Sequence, residues 1–536
     1  MPRKKSIIES AGVSMGHAVA GASAKAVSSQ SAPWNILVCT DLGFCTESPE
    51  KLTAAGFTEF MLGHPAEISG AIECSGTSFY LEYRATSLED YSAKAIQRRV
   101  PQISALAAAL EAVDAFSAGT ISRDALIAAL SAAQAPEALL RKLSAGQQPA
   151  RSVSQPRTAA SVDRILGMMA VAPDSGTSPA SGTDALMEAV TARDAEINPE
   201  TLAEARRQIS RRISDLTHAV LALPAFRARQ GAWRALKRLL KAIGRDTSVT
   251  VSLCSAPAMA TRGSFDDLLS ACAHAGSPID IVLFDHPCDL STAAADELSA
   301  LARTAEQYKC CVIAPLAPDD ALFREIDRYD TLRPVFEEPR FLPLKRLRAT
   351  IESRNIMLCG PDFVLPGDDS LPASAPWFAV TWIAEALKAS RFPWEIVWPT
   401  AFSSDTTADA PTFAVSVPER LVHEAGDFGG LMLFSRHKGR MRHDHLYSVV
   451  DNDAASPLYT HLGMNLLVNR VMRCAGEPGS ASAIKDRLAR ELMRLSCIAS
   501  EDAITVTGKD GRISIDVTSD VILSDQPVRF AFDFAV

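Results

Sequence analysis

The stretch IDIVLFDHPCDLSTAAADELSALARTAEQYKCCVIAP, residues 279–315, decides the fold. Its two ends, IDIVLFD (279–285) and CCVIAP (310–315), are short apolar runs of the length and composition of buried strands. Between them TAAADELSALARTAEQY reads as a helix. Strand, helix, strand in this order predicts an α/β domain with parallel pairing across the helix.

Working outward, SVTVSLC (248–254) supplies another buried strand, and PWNILVCTD (33–41) is an apolar run stopped by Asp41 and Gly43. TSFYLEYRA (77–85) alternates Phe79, Leu81 and Tyr83 on one face, as a half-buried strand does. Beyond it Ile103, Leu106, Leu110, Val113 and Phe116 fall at helical spacing, with Ser87 three residues before Asp90 as a helix start. Residues 184–220 read as helix, PTFAVSV and FGGLMLFS as strands, and 481–496 as helix. Four of the six tryptophans crowd into 377–398. AITVTG, RISIDVTS and PVRFAFDFAV form a β-meander at the end of the sequence.

Residues 1–32, rich in Ala, Ser and Gly, read as a mobile arm, and SAGQQPARSVSQPRTAA (144–160) as a linker. A chain of 536 residues is too long for one core. The expected division is therefore an N-terminal domain over 33–143, a linker over 144–183 and a large region over 184–536. Net charge is −9 and pI near 5.7, which excludes a nucleic-acid binder working through a broad positive field. No apolar run is long enough to span a membrane, and the start lacks the apolar core of a secretory signal. The eleven cysteines show no CxxC spacing, so they read as buried thiols of a soluble cytoplasmic protein.

Several groups bear chemistry. Asp285, His286, Cys288 and Asp289 follow a strand, where α/β enzymes often place catalysts, and a Cys–His nucleophile pair is conceivable there. No oxyanion loop or orienting motif accompanies them. His443 and His445 lie two apart, but a third metal ligand at sensible spacing is missing. No phosphate-binding glycine motif occurs. The expectation is a protein without catalytic, metal or cofactor sites. LALPAFRARQGAWRALKRLLKAIG (221–244) has Phe226, Trp233, Leu236 and Leu240 on one stripe, with Arg and Lys around the rest. A membrane-surface helix needs one compact basic face, so an internal helix whose long cations cover apolar surface is the simpler account.

The order of motifs resembles the contractile sheath of type VI secretion systems. AFRARQGAWRALKRLL, with Phe226, Trp233, Arg234 and Leu236, looks like a signature of the large sheath subunit, TssC. FLPLKRLRATIESRNIMLCGPDFVLP (341–366) and PTFAVSVPERLVHEAGDFGGLMLFSRHKGRMRHDHLYSV (411–449) resemble later blocks of that subunit. PWNILVCTDLG and TSFYLEYRATSLEDYSAKAIQRRVPQISALAAAL are similar to the small subunit, TssB. In three respects the sequence departs from the family pattern, one being that residues 1–32 show no clear counterpart of the small subunit's N-terminal exchange strand. Arg229 and Gln230 stand where the family has Leu-Glu, and 361–366 lacks two family arginines.

The resemblance implies a natural fusion of both subunits. Its fold would be a mixed sheet flanked by helices with a C-terminal β-meander. In the family, paired subunits interlock into six-fold rings of a helical tube, which contracts and drives an inner tube outward. The implied partners are further copies of this chain, an inner tube protein, baseplate components and a ClpV-like AAA+ unfoldase. A sheath-derived adaptor or baseplate-proximal protein that does not polymerise is one alternative. An enzyme using Asp285, His286 and Cys288 is another, of a different class.

Two segments carry the expected assembly chemistry. In the terminal region 503–536, Ile513, Ile515 and Val517 alternate, as do Val528, Phe530, Phe532 and Phe534, and the sequence ends on Val536. Pattern alone fits an ordinary hairpin equally well; the resemblance favours strands exchanged between protomers. Val162, Ile165, Leu166 and Met169 make a short amphipathic helix (161–171) between two linkers. It can pack on its own domain, or serve as the segment that the resemblance assigns to unfoldase recognition.

Overall fold

The computed structural model describes residues 34–74, 77–133, 199–245, 248–257, 264–275, 277–317, 321–365, 371–390, 412–437, 440–442, 449–450, 465, 468–469, 471, 474, 479–494, 497–509, 512–523 and 526–535. The expected arm 1–32, the linkers, the short helix 161–171 and the pair His443/His445 lie outside them.

The chain is an α/β protein. Seven strands form one sheet in the order β12-β8-β7-β6-β1-β5-β2. These are β1 (Trp34–Thr40), β2 (Glu50–Leu52), β5 (Val249–Ser255), β6 (Ile281–Phe284), β7 (Cys311–Pro315), β8 (Ile356–Gly360) and β12 (Leu431–Leu433). All neighbouring pairs are parallel except β2–β5, so the sheet is mixed. All seven residues of β1, and every residue of β6, β7 and β8, are buried, as expected of parallel strands covered on both faces.

The 279–315 stretch folds as anticipated. A helix, Thr292–Tyr308, connects β6 to the parallel β7. Ser291 caps it, its hydroxyl accepting from Ala294 N at 3.2 Å, and its last turn ends at Lys309 in the left-handed conformation, φ 53°. Ala294, Leu298, Leu301 and Ala305 face inward at helical spacing. With Phe265–His274 and the helix Leu342–Arg348 it builds one core layer, which includes Leu37, Val282, Phe284, Val312 and Leu358 from the sheet. The helix Ala375–Ser390 packs against β5, β6, β7 and β8.

The strand over 34–40 was expected in an N-terminal domain of 33–143. It occupies an interior place in the sheet, between β6 and β5, in register with Val249–Ser255 and Ile281–Phe284. The compact units accordingly do not follow the linker. One comprises Met1–Glu67 with Arg227–Val536, the other Ile68–Phe226. A run buried on both faces is covered by layers above and below the sheet, and nothing in its own residues specifies which strands pair along its two edges.

The second unit is built on the antiparallel ribbon of β3 (Ala66–Cys74) and β4 (Thr77–Ala85). Ile68, Ile72, Leu81 and Tyr83 are buried at every second or fourth position. Helices Ala93–Arg99, Pro101–Ser117, Arg123–Ala132 and Pro199–Ala222 complete it. Pro101 sits in the first turn of its helix, where its missing N–H is harmless, and so breaks the expected continuous helix into two. Asp90 is the local hub: its carboxylate accepts from Thr86 N, Thr86 Oγ1 and Ser87 N and pairs with Arg99 at 2.9 Å.

Near the C-terminus, the predicted strand FGGLMLFS begins later than its apolar run. A helix, Glu419–Gly429, continues through Phe428 and ends at Gly430 with φ 63°. A Cβ at Gly430 would also lie 2.8 Å from the Val449 carbonyl oxygen, so glycine is required there twice over. PTFAVSV contributes only β11 (Thr412–Phe413), which pairs with β9 (Phe363–Leu365) beside β10 (Leu371–Ala373). β13 (Ser435–His437) and β14 (Arg440–Arg442) form a small hairpin. Among the described residues no helix is long and apolar enough to cross a membrane.

Candidate functional site: the C-terminal sheet and the buried strand ends

Three antiparallel strands end the described chain: β15 (Ile504–Lys509), β16 (Arg512–Leu523) and β17 (Gln526–Ala535). β16 lies in the middle. Ile513, Ile515 and Val517 are buried, and Ser514, Asp516 and Thr518 alternate with them. Their cross-strand partners on β17 are Phe534, Phe532 and Phe530 respectively. The residues that sequence reasoning assigned to strand exchange thus meet in one hairpin, closed within the single chain. Its register shifts between Thr518 and Ile522, close to Val528. The helix Ala481–Arg494 packs against β15 through an inner face that includes Ile484, Leu488 and Leu492. Ser519 Oγ ties β16 to the Cys497 carbonyl at 2.7 Å.

The signature helix runs over Pro224–Ile243 and is internal. Phe226 is buried among Tyr83 and Tyr91, at centroid distances of 5.8 and 5.1 Å. Trp233, fully buried, stacks on Phe44 at 6.1 Å and meets Phe57 edge-on at 5.7 Å. Leu236 is buried, Arg234 is half-buried, and the cations Lys237 and Lys241 are exposed. Gly231 lets the helix approach β10, since a Cβ there would lie 2.3 Å from the Pro372 carbonyl oxygen. Arg229, one of the departures from the family pattern, has its own task. It donates to the Glu67 carbonyl oxygen and pairs with Asp41 at 3.2 Å, securing the turn after β1.

Arg348 joins two segments that carry the family resemblance. Its guanidinium donates to the carbonyl oxygens of Val449, Phe428 and Asp427, which satisfies the C-terminal end of the helix Glu419–Gly429.

The enzyme candidates stand at the C-terminal ends of the parallel strands, as the sequence suggested. Asp285 follows β6, and its carboxylate accepts from Thr40 Oγ1 at 2.8 Å, Trp377 Nε1 at 2.7 Å and Ser374 Oγ. Burial pushes its pKa up, while these three donors draw it down. The carboxylate therefore fastens the end of β1 and the start of the helix Ala375–Ser390 to β6. Cys288 Sγ donates to the His286 carbonyl oxygen at 3.4 Å, and Cys288 N to Pro315 O at 3.0 Å. His286 packs edge-on against Phe284, with centroids 4.8 Å apart, and both His286 and Cys288 are sealed from solvent. Asp289 accepts from Ser291 N at the start of the following helix. These are the bonds of a strand end and a helix start.

Asp362 is the group that sequence reasoning missed. It follows β8, and burial first, then the charge of Asp285, raise its pKa to about 7 against the lowering N–H of Ala375. No local pattern could reveal it, because the two carboxylates are 77 residues apart in sequence, 362 less 285. Among the described residues no group of three or more His, Cys, Asp or Glu is placed to hold a metal ion.

Neither a protein-family model nor a curated protein matches the sequence. Three solved structures are similar to it at low identity. One is the baseplate of the anti-feeding prophage, determined by cryo-EM with six-fold symmetry: 13% identity and a TM-score of 0.36, over 57% of this chain and 77% of that one. A second is a sheath tail protein from Desulfitobacterium hafniense: 12% identity and a TM-score of 0.32, over 52% of this chain and 60%, less than two thirds, of that one. The third is the sheath complex of PVC, an extracellular contractile injection system, in its contracted state: 10% identity and a TM-score of 0.33, over 56% of this chain and 77% of that one.

Proposed function

We propose that this chain is a structural subunit of a contractile sheath of the type VI secretion kind, with the small and large subunits fused in one polypeptide. It polymerises into a helical tube around an inner tube and, on contracting, drives that tube outward. The observation that carries the reading is β17. It is ten residues long, has an aromatic residue at every second position from Phe530 to Phe534, and among the described residues pairs on one side only, with β16. An edge strand of that length and composition is a template for pairing with another chain, so a protein that keeps one is expected to use it. The place of β1 supports the fusion. Residues from the TssB-like part supply one interior strand, β1, and one edge strand, β2, of a sheet whose other five strands come from the TssC-like part, as two interlocking subunits joined covalently would require.

In this reading the work comes from contacts that differ between extended and contracted packings, and no pocket transforms a substrate. The partners are further copies of the chain, the inner tube, baseplate components and a ClpV-like unfoldase engaging Val162, Ile165, Leu166 and Met169.

Deleting Val528–Val536 tests the reading. The truncated chain is expected to stay folded by circular dichroism yet no longer sediment as large assemblies. Because the deletion also removes a strand from its own sheet, Ala531→Lys is the companion variant. Ala531 is exposed in the single chain, so a lysine there spares the fold while charging the edge strand. Assemblies that form unchanged in both variants contradict strand exchange through β17.

A further inference from the structure

Cys39 and Cys254 are direct register partners on the adjacent parallel strands β1 and β5. Their side chains enter the same core layer, where the helix Phe265–His274 lies over them with Phe265, Leu269 and Cys272. Adjacent strands lie about 4.8 Å apart, and disulfide-bonded cysteines have Cα atoms roughly 4.4–6.8 Å apart, so this pair can be bridged with little movement of the backbone. Other buried thiols share the layer, Cys272, Cys288 and Cys310 among them, but none is a register partner of either residue.

We propose that Cys39 and Cys254 are a peroxide-sensitive pair that closes into an intrachain disulfide. The Cys254 sulfur attacks one oxygen of hydrogen peroxide, forming a sulfenic acid and releasing hydroxide, which takes up the thiol proton as water. The Cys39 sulfur then displaces the sulfenic oxygen as a second water. Two thiols are oxidised to one disulfide, and one peroxide is reduced to two waters.

The roles follow from the hydrogen bonding. The Cys39 thiol donates to the Cys254 sulfur; this bond, with a further hydrogen bond from Thr46 and against the opposing effect of burial, brings the Cys254 pKa down to about 7. The same bond, with burial, holds Cys39 well above the usual thiol range. Cys254 is thus the nucleophile and Cys39 the resolving thiol. Cys254 keeps 5% of its surface open to solvent, whereas Cys39 is wholly enclosed. The bond would staple β1 to the sheet across a separation of 215 residues, 254 less 39.

The test is a peptide map of the folded full-length protein after hydrogen peroxide treatment and blocking of residual thiols. It uses a Cys45→Ser background, because one tryptic peptide, 26–51, carries both Cys39 and the exposed Cys45. The expected result is a link between peptides 26–51 and 246–262 that dithiothreitol reverses, with a rise in the urea unfolding midpoint of the oxidised protein. In the added variant Cys39→Ser, Cys254 should instead be trapped by dimedone as a sulfenic acid, with no rise in the midpoint. A Cys254 that stays reduced, or that links to Cys272, overturns the proposal.

Discussion

Thr40 Oγ1 donates to Asp285 Oδ2 at 2.8 Å, joining the end of β1 to the end of β6 across 245 residues of sequence. Trp377 and Ser374 donate to the same carboxylate, so one side chain anchors three segments of the larger unit. A charge this deeply buried is tolerated because its acceptor positions are filled.

Asp285→Ala strands those three donors in the interior. We expect a loss of about 3 kcal/mol or more in urea unfolding, and Asp285→Asn to lose roughly half as much, since an amide oxygen still accepts. An alanine variant as stable as the parent means that this carboxylate is not the anchor described.

Asp362 sets a pH dependence. Its proton stays on up to about 7 in the folded chain, whereas an unfolded aspartate releases it near about 4. Between those values the folded state holds more protons, so the contribution of this residue to stability falls as pH rises through that window. The variant Asp362→Asn should therefore gain on the parent between about pH 5 and about pH 8, by on the order of 2 kcal/mol. Urea midpoints at the two pH values measure the difference; a parent–variant gap that does not change with pH refutes the assignment.

Gly231→Ala separates helix propensity from packing. Alanine is favoured over glycine within a helix by about 1 kcal/mol. Here the added Cβ meets the backbone carbonyl of Pro372 at 2.3 Å, which has no flexible end to move aside. Packing should win, and the variant should be less stable by roughly 1–3 kcal/mol. A more stable variant would show that the helix does not lie so close to β10.

Trp233→Ala empties the aromatic cluster with Phe44 and Phe57 and is expected to lose about 3–5 kcal/mol. A fully exposed membrane-surface helix would lose almost nothing from the same change, so this variant also separates the two readings of the basic helix.

Much of this was legible from local pattern. The strands at 279–285 and 310–315, the helix between them and the alternation of Ile513, Ile515 and Val517 are all written in residue spacing. What pattern could not supply is address. WNILVCT is apolar throughout, and its parallel partners lie more than 200 residues away, so its interior place in the sheet was invisible. Asp285 was recognised as standing at a strand end, but its partners Thr40, Ser374 and Trp377 come from distant segments, and only they turn a catalytic candidate into an anchor. The facing of Cys39 and Cys254 likewise exists only once the register is known. Backbone decides two boundaries that side-chain spacing does not mark: Gly430 ends a helix that runs into the expected strand FGGLMLFS, and Pro101 opens a new helix within one helical run.

If the chain works, as proposed, through surfaces that its own copies complete, raising its concentration should drive it into assemblies. Negative-stain electron microscopy of the purified full-length protein, over a range of concentrations, is the decisive measurement: long hollow tubes with six-fold rings are expected, and particles that remain single at every concentration would rule out self-assembly.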